Sequence, residues 1–227
     1  TRIDLLHKNV AIIKSIIPEI TKRNFEGILM IVANPVDILT YAALKISGYP
    51  KDRVFGSGTV LDTARFRYLL SEHLNVASRS VHAYIIGEHG DSELAVWSGA
   101  NVSGIHINDF CELRGHFSHD EAMERIYKTV RDSAYEIIER KGATYYGVAM
   151  AVARIAESIV RDERSVLSVT SLMEGEYGLK DLCISVPTIV SQKGAEQVLE
   201  IPLSEKEQAE LKKSAEELHK VLESLDL

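Results

Sequence analysis

The sequence is poor in cysteine, in basic clusters and in long apolar runs, and each shortage excludes a class of protein. Only Cys111 and Cys183 occur among 227 residues, which is no disulfide framework and no zinc-type spacing. The formal net charge is -7 without a dense lysine and arginine run, so no nucleic-acid partner is expected. No stretch approaches about 18 apolar residues, so no membrane span is expected. With no recognisable signal sequence, these absences predict a cytoplasmic protein.

The first residues of the chain also lack the glycine-rich unit with which dinucleotide-binding domains begin. It begins at Thr1, follows a helical pattern from Arg2, and shows no strand–turn–helix unit with a glycine fingerprint. We therefore expect the chain to be the C-terminal part of a longer polypeptide. Its content of 45% hydrophobic and 26% charged residues is typical of a globular protein with one large or two small domains.

Alternating helical and apolar segments predict an α/β protein. Apolar residues recur at helical spacing from Ile3 to Ile20, and the apolar run Gly27–Ala33 predicts a strand buried on both faces. A helix over Val36–Ile46 and a strand over Arg53–Phe55 follow, which indicates a parallel sheet. Other predicted helices are Asp62–Leu74, Ser118–Arg140, Gly147–Val160 and Ser204–Leu225. Other predicted strands are Val81–Ile86, Leu94–Trp97, Val102–Ile107, Ser165–Met173 and Leu182–Val190, and Phe110–His119 is predicted to be irregular.

The segment Tyr84–Asp91 carries the strongest candidate for chemistry. His89 follows a predicted strand and stands between two acids and two glycines. Gly87 and Gly90 permit backbone conformations that aim its ring away from the end of the strand. A titratable side chain on a loop held by a rigid strand is a common catalytic layout. From these residues alone, a turn histidine without function remains an alternative.

Two charged residues of a predicted helix are candidate partners of His89. A carboxylate such as Asp62 raises the pKa of a nearby histidine by favouring its charged form. Arg65 lies three residues later on the same helix face, and its planar guanidinium suits a bound carboxylate. Arg67 must face elsewhere. A helix-terminus role for Asp62 and a surface ion pair with Arg65 remain the alternatives.

Asn34 precedes Pro35 at the predicted end of a buried parallel strand. Ligands of open α/β sheets bind at this edge, and an asparagine side chain both donates and accepts hydrogen bonds. The alternative is an ordinary turn asparagine.

A metal-dependent hydrolase is a rival interpretation. Glu88, His89 and Asp91 carry metal-ligand groups, and His116 and His119 add two more. The His-Glu-x-x-His spacing is absent, so we expect no metal.

Three motifs carry a resemblance to a known family. They are IVANPVD (Ile31–Asp37), GSGTVLDTARFR (Gly56–Arg67) and IGEHGDSE (Ile86–Glu93). In this order and spacing they resemble the L-lactate dehydrogenases of the lactate/malate dehydrogenase family. The resemblance implies NAD-dependent interconversion of L-lactate and pyruvate by a homotetramer. It also implies an α/β fold in which the C-terminal part of a Rossmann-type parallel sheet (residues 1–56) precedes an α+β catalytic domain (residues 57–227). The helix 147–160 is expected to pack back on the cofactor domain.

The resemblance also implies roles for the candidate catalytic residues. His89 matches the family's proton donor and acceptor, and Asp62 matches its carboxylate partner. Arg65 matches the clamp on the substrate carboxylate, and Arg2 matches the mobile-loop arginine that polarises the substrate carbonyl. Thr144 matches a threonine of the substrate pocket.

The cofactor and effector positions follow from the same resemblance. Asn34 matches the residue that touches both substrate and nicotinamide, after the family's usual cis Asn–Pro bond. Cofactor-cleft positions are matched by Ser15, Val32 and Ser57. Arg67 and His82 match the pair that binds fructose 1,6-bisphosphate between subunits in bacterial members. A solvated helix arginine and an interior strand histidine are the alternatives for that pair.

Some family features are absent from the sequence. The glycine-rich phosphate turn, the acid for the adenosine ribose and most of the mobile loop have no counterpart. The residue that separates lactate from malate dehydrogenases lies in that loop, so a malate dehydrogenase remains an alternative, although Thr144 favours lactate. A binding fragment without catalysis is a further alternative.

Overall fold

The computed structural model describes residues 2–115 and 119–225, apart from the side chains of residues 2–5 and 119. Its helices are α1 (Arg2–Thr21), α2 (Val36–Ser47), α3 (Val60–Leu74), α4 (Ile107–Leu113), α5 (His119–Lys141), α6 (Tyr146–Val160) and α7 (Glu205–Glu223). Its strands are β1 (Leu29–Ile31), β2 (Val54–Gly56), β3 (Val81–His82), β4 (Ile85–Ile86), β5 (Leu94–Ala95), β6 (Asn101–Val102), β7 (Ile105–His106), β8 (Ser165–Glu174), β9 (Lys180–Ser191) and β10 (Gly194–Val198). In the described part of the chain, no helix is both long and apolar enough to cross a bilayer.

A mixed five-stranded sheet connects the beginning and the end of the chain, in the order β1-β2-β8-β9-β10. β1 and β2 are parallel, with Leu29 opposite Val54. The remaining pairs are antiparallel, and Gly56 opposite Thr170 joins β2 to β8. The sheet and the long helices confirm the predicted α/β class.

β1 is less buried than its apolar sequence predicts. Ile31 is buried, whereas Leu29 and Met30 are half-buried, so the prediction of a strand buried on both faces is wrong. The reason is position, because β1 is the edge strand and has one neighbour, β2, among the described strands.

Two helices pack on the N-terminal part of the sheet. Every residue of α2 from Val36 to Leu44 is buried, including the charged Asp37. Ala151 and Ile155 of α6 lie in one apolar cluster with Phe55 of β2. The division of the chain into domains after residue 56 stays a prediction.

The predicted strand Val81–Ile86 is two strands with different partners. β3 pairs with β6 and β4 pairs with β5, both antiparallel. Between them the Tyr84 carbonyl accepts a hydrogen bond of 2.9 Å from the Val96 amide. The predicted strand Val102–Ile107 is likewise divided, because Ser103 and Gly104 form a turn with φ of 52° and 86°.

Helix boundaries differ from the prediction in several places. α1 agrees with its prediction to within one residue at each end, from Arg2 to Thr21. The segment predicted to be irregular, Phe110–His119, begins inside α4, a helix in which Ile107 and Cys111 are four residues apart and both buried. His116 and Ser118, the first residue of a predicted helix, lie outside the described residues. A capping box begins α7, formed by reciprocal hydrogen bonds of Ser204 and Glu207.

Candidate active site

Hydrogen bonds from three elements fix the loop that carries His89. Gly87 exchanges two backbone bonds with β9, with N–O distances of 2.9 and 3.1 Å. The Glu88 amide donates to Ser214 Oγ of α7 at 2.8 Å. The His89 amide donates to Asp37 Oδ2 of α2, also at 2.8 Å. The position of the histidine therefore depends on packing between β9, α7 and α2.

Gly87 is required by the turn itself. Its φ is +95°, and a Cβ at this position would lie 3.0 Å from Ser214 Oγ and 3.1 Å from Leu94. A larger residue would be strained and crowded there. Gly90 does not adopt a positive φ, so the expectation that both glycines aim His89 holds for Gly87 alone.

A buried carboxylate joins His89 to Arg65. Asp62 Oδ2 lies 2.7 Å from His89 Nδ1, and Asp62 Oδ1 lies 3.3 Å from Arg65 Nη1. Asp62 is 3% exposed and stands in the first turn of α3, and its carboxylate bonds to His89 rather than capping the helix. Among the described residues, none bonds to His89 Nε2, so this nitrogen is available to a ligand.

The surroundings of His89 favour its charged form. Burial lowers the pKa of the imidazole, but the hydrogen bond and charge of Asp62 outweigh burial. The Asp37 carboxylate, and that of Glu93 when it is ionised, add negative charge nearby, and the pKa of His89 is raised to about 9. The ring therefore holds a transferable proton at neutral pH.

Asp37 is a buried carboxylate that bonds to the His89 loop and to the central sheet. Its carboxylate accepts from the Thr170 hydroxyl at 2.7 Å, from the Ser185 hydroxyl at 3.3 Å and from the His89 amide. Burial raises the pKa of Asp37 to about 6, against the effect of these bonds. It therefore links α2, β8, β9 and the His89 loop. Nothing in the sequence except its place in the IVANPVD motif distinguishes it.

The N-terminal end of α6 lies beside Arg65. A Cβ built at Gly147 would be 3.8 Å from Arg65 Nη2 and 3.1 Å from Leu61. Thr144 is exposed three residues before Gly147, in the segment that leads into α6. The structure thus brings the Thr144 segment close to Arg65.

The predicted cofactor positions lie mostly at one sheet edge. Val32 and Asn34 follow β1, Ser57 follows β2, and the Ser57 amide donates to the Ile31 carbonyl at 2.8 Å. The Asn34–Pro35 bond is cis, as the resemblance implied. Asn34 is exposed, and no described side chain bonds to its amide group, so that group suits the carboxamide of a nicotinamide.

Two further predicted positions, Ser15 and Arg2, lie on α1. Ser15 is exposed and its hydroxyl donates to the Ile12 carbonyl at 2.7 Å. No bond among the described residues connects it to β1 or β2. The Arg2 side chain lies outside the described residues, so its role stays a prediction.

The pair predicted to bind an effector lies on another surface. Arg67 Nε donates to the Ala83 carbonyl at 2.9 Å, and its guanidinium lies 4.9 Å from the centre of the Tyr84 ring. His82 is exposed rather than packed in the interior, and is the residue before Ala83. Arg67 therefore bonds to the segment between β3 and β4, whereas Arg65 bonds to Asp62.

The groups of the rival metal interpretation point apart. The Glu88 carboxylate accepts from Ser92, and the Asp91 carboxylate accepts from the Tyr135 hydroxyl at 2.7 Å. His116 and the His119 side chain lie outside the described residues. Neither Glu88 nor Asp91 therefore forms a ligand set with His89.

Sequence reasoning missed a third carboxyl group near His89. Glu93 is 5% exposed, and its carboxyl oxygen lies within 4.8 Å of atoms of both Asp62 and His89. Only its place at the end of the IGEHGDSE motif marked it. The three groups are of types that bind metals, but the Asp62 bond already occupies His89 Nδ1.

These features define an α/β acid–base site with a charged imidazole, its buried carboxylate and a neighbouring arginine. A family model described as the NAD binding domain of lactate/malate dehydrogenase matches residues 1–56. A second, described as the alpha/beta C-terminal domain of lactate/malate dehydrogenase, matches residues 59–226. The chain belongs to the lactate/malate dehydrogenase family.

Individual relatives agree with this assignment. The L-lactate dehydrogenase of Acetivibrio thermocellus is 55% identical over 100% of this chain and 72% of its own length. L-lactate dehydrogenase 1 of Clostridium acetobutylicum is 52% identical over 99% of this chain and 72% of its own length. The ligand-bound minor L-lactate dehydrogenase of Enterococcus mundtii superposes with a TM-score of 0.95 at 41% identity, over 100% of this chain and 72% of that one. The resemblance inferred from the three motifs is confirmed.

Proposed function

We propose that this chain carries the chemical residues of an NAD-dependent L-lactate dehydrogenase, which interconverts L-lactate and pyruvate. The observation that carries the proposal is the 2.7 Å bond between His89 Nδ1 and Asp62, with Arg65 on the same carboxylate. This arrangement brings together a proton donor (His89), the carboxylate that keeps the imidazole charged (Asp62) and a cation that can bind a carboxylate substrate (Arg65).

His89 moves the proton in this proposal. In pyruvate reduction the Nε2–H of the charged ring donates to the carbonyl oxygen, and in lactate oxidation the neutral ring accepts the hydroxyl proton. Asp62 holds the ring by Nδ1, which directs Nε2 towards the substrate. The pKa of about 9 keeps His89 charged before reduction begins.

Arg65 orients the substrate. Its guanidinium makes two parallel bonds to the substrate carboxylate, which turns a random encounter into a positioned one. Thr144 lies in the segment beside Arg65 and contacts the other end of the substrate. Arg2 offsets the negative charge that develops on the carbonyl oxygen as water is excluded.

The hydride comes from NAD in its reduced form when it is bound. Residues 1–56 match an NAD binding domain. Asn34, Val32 and Ser57 would hold the nicotinamide end at the carboxyl edge of β1 and β2, and Ser15 would line the cleft from α1. We take residues 1–56 as part of the cofactor domain and 57–227 as the catalytic domain.

Regulation and assembly complete the proposal. Arg67 and the exposed His82 form a basic pair that suits a phosphate of fructose 1,6-bisphosphate between subunits of a homotetramer. Cys111 and Cys183 are both free and buried, which agrees with a reducing, cytoplasmic location.

Turnover of two substrates tests the function. The assay uses the polypeptide at the full length of its relatives and follows NADH oxidation with pyruvate and, separately, with oxaloacetate. We expect the larger kcat/KM with pyruvate. A larger value with oxaloacetate would identify a malate dehydrogenase, and no oxidation with either would indicate a binding protein.

A further inference from the structure

Glu93 is a buried acid without the partners that a buried carboxylate needs. It is 5% exposed, and its Oε1 atom is buried without a hydrogen-bond partner among the described residues. Its backbone carbonyl is fixed, because it accepts from the Tyr127 hydroxyl. An ionised carboxylate without donors is costly in such a place, whereas a neutral carboxylic acid is far less so.

Glu207 provides the comparison within the same protein. It is 4% exposed, but its carboxylate accepts from the Ser98 amide at 2.9 Å, from the Ser98 hydroxyl and from the Ser204 amide at 2.8 Å. Burial opposes its charged form, yet these bonds outweigh burial and lower the pKa of Glu207. With a similarly small exposed fraction, Glu207 thus has three donors to its carboxylate and a lowered pKa, whereas Oε1 of Glu93 has none among the described residues.

The charges around Glu93 come from three elements and have opposing effects on its protonation. Asp62 and Arg65 face it from α3, Arg131 faces it from α5, and His89 faces it from its own loop. Burial raises the pKa of Glu93 to about 9, and the Asp62 carboxylate adds to this effect. The three cations reduce it without reversing it.

We propose that Glu93 is a neutral acid beside the His89–Asp62 pair during turnover, and that its ionisation ends pyruvate reduction at alkaline pH. The inference rests on the proposed function. Ionisation of Glu93 makes the site one charge more negative where an anionic substrate binds. It also places two carboxylates within 4.8 Å of each other and of one imidazole.

Infrared spectroscopy tests the protonation directly and needs no substrate. The full-length enzyme is measured near pH 8, where Asp37 is ionised, as wild type, as Glu93→Gln and as the matched control Glu207→Gln. We expect the carbonyl stretch of one protonated carboxyl group to disappear in Glu93→Gln and to persist in Glu207→Gln. Identical spectra for wild type and Glu93→Gln would overturn the proposal.

A measurement on the wild type alone covers the case in which Glu93→Gln does not fold. The same carbonyl band should vanish as the pH rises through about 9. A band that is absent at pH 8 would overturn the proposal. Because this readout involves no turnover, it stays decisive even if the enzyme proves inactive with pyruvate.

Kinetics then test the consequence. Since glutamine resembles a neutral glutamic acid, kcat/KM for pyruvate should be nearly unchanged in Glu93→Gln at neutral pH. At alkaline pH, kcat/KM of the wild type should decrease as both Glu93 and His89 lose a proton. In Glu93→Gln, kcat/KM should decrease as His89 alone loses a proton. An increase of about tenfold or more in kcat/KM of the variant at neutral pH, as expected on removing a full negative charge at this distance, would show that Glu93 is ionised during turnover and refute the proposal.

Discussion

Replacing Asp62 by asparagine should move the alkaline limit of pyruvate reduction to much lower pH. The pKa of His89 is raised from 6.5 to about 9, and this difference corresponds to about 3 kcal/mol in favour of the charged ring. The side chain is 27% exposed, so solvent screens little of this energy. Without the Asp62 carboxylate, burial is the largest remaining influence and favours the neutral ring, so we expect the pKa to fall to about 6.5 or below.

The sign of the effect follows from the proton that reduction consumes. Wild-type His89 is almost fully charged at about pH 7.5, whereas a ring with a pKa of 6.5 is charged in about one tenth of molecules. The variant Asp62→Asn should therefore lose at least about tenfold in kcat/KM for pyruvate at this pH, and recover part of it as the pH is lowered.

The assay is the pH dependence of kcat/KM for pyruvate, with an NMR titration of the His89 ring beside it. Glu88→Gln is the matched control, because it changes an acid of the His89 loop whose carboxylate bonds to Ser92 and not to His89. An unchanged pH profile in Asp62→Asn, or an equal shift in Glu88→Gln, would refute the reasoning.

Three further predictions follow from the contacts. Arg65→Lys should raise KM for pyruvate at least about tenfold, since an ammonium cannot replace two parallel bonds; an unchanged KM in steady-state assays would contradict the clamp. Arg67→Gln and His82→Ala should each abolish activation by fructose 1,6-bisphosphate, measured as pyruvate saturation with and without the effector, and retained activation would exclude this site. Asp37→Asn should lower the free energy of unfolding in urea by about 1–3 kcal/mol, because its amide turns a donor towards a donor; equal stability would show that the bonds of Asp37 contribute little.

The central part of the site was predictable because its signals are local. Asp62 and Arg65 are three residues apart on one helix face, and His89 follows directly on a strand. The motifs in which they stand occur in a fixed order, and the resemblance then assigned a role to each. The structure adds their distances, which no spacing in the sequence provides.

The supporting acids were not predictable because their surroundings are assembled from distant segments. Asp37 is 52 residues before His89. Thr170, whose hydroxyl bonds to Asp37, is 133 residues after Asp37. Glu93 lacks the hydrogen-bond donors that the fold brings to Glu207. Neither set of donors can be recognised before the packing of α2, α7 and β9 is known.

The predicted strand boundaries were wrong for a related reason. The apolar run Val81–Ile86 predicts one strand, but hydrogen-bond partners, not hydrophobicity, determine where a strand ends. β3 and β4 pair with β6 and β5 in separate sheets, so the run is divided at residues 83 and 84. Packing likewise explains α4, which includes the start of a segment predicted to be irregular. Ile107 and Cys111 give this helix a buried face.

The most direct test of the account is the turnover of His89→Gln in the full-length enzyme, measured together with its affinity for NADH. The imidazole is the only group assigned to proton transfer, so kcat for pyruvate reduction should fall at least about 100-fold. NADH binding, followed by its fluorescence, should remain close to wild type because the residues proposed to hold the nicotinamide are unchanged. A variant with wild-type turnover and intact NADH binding would contradict the assignment of His89 as the proton donor.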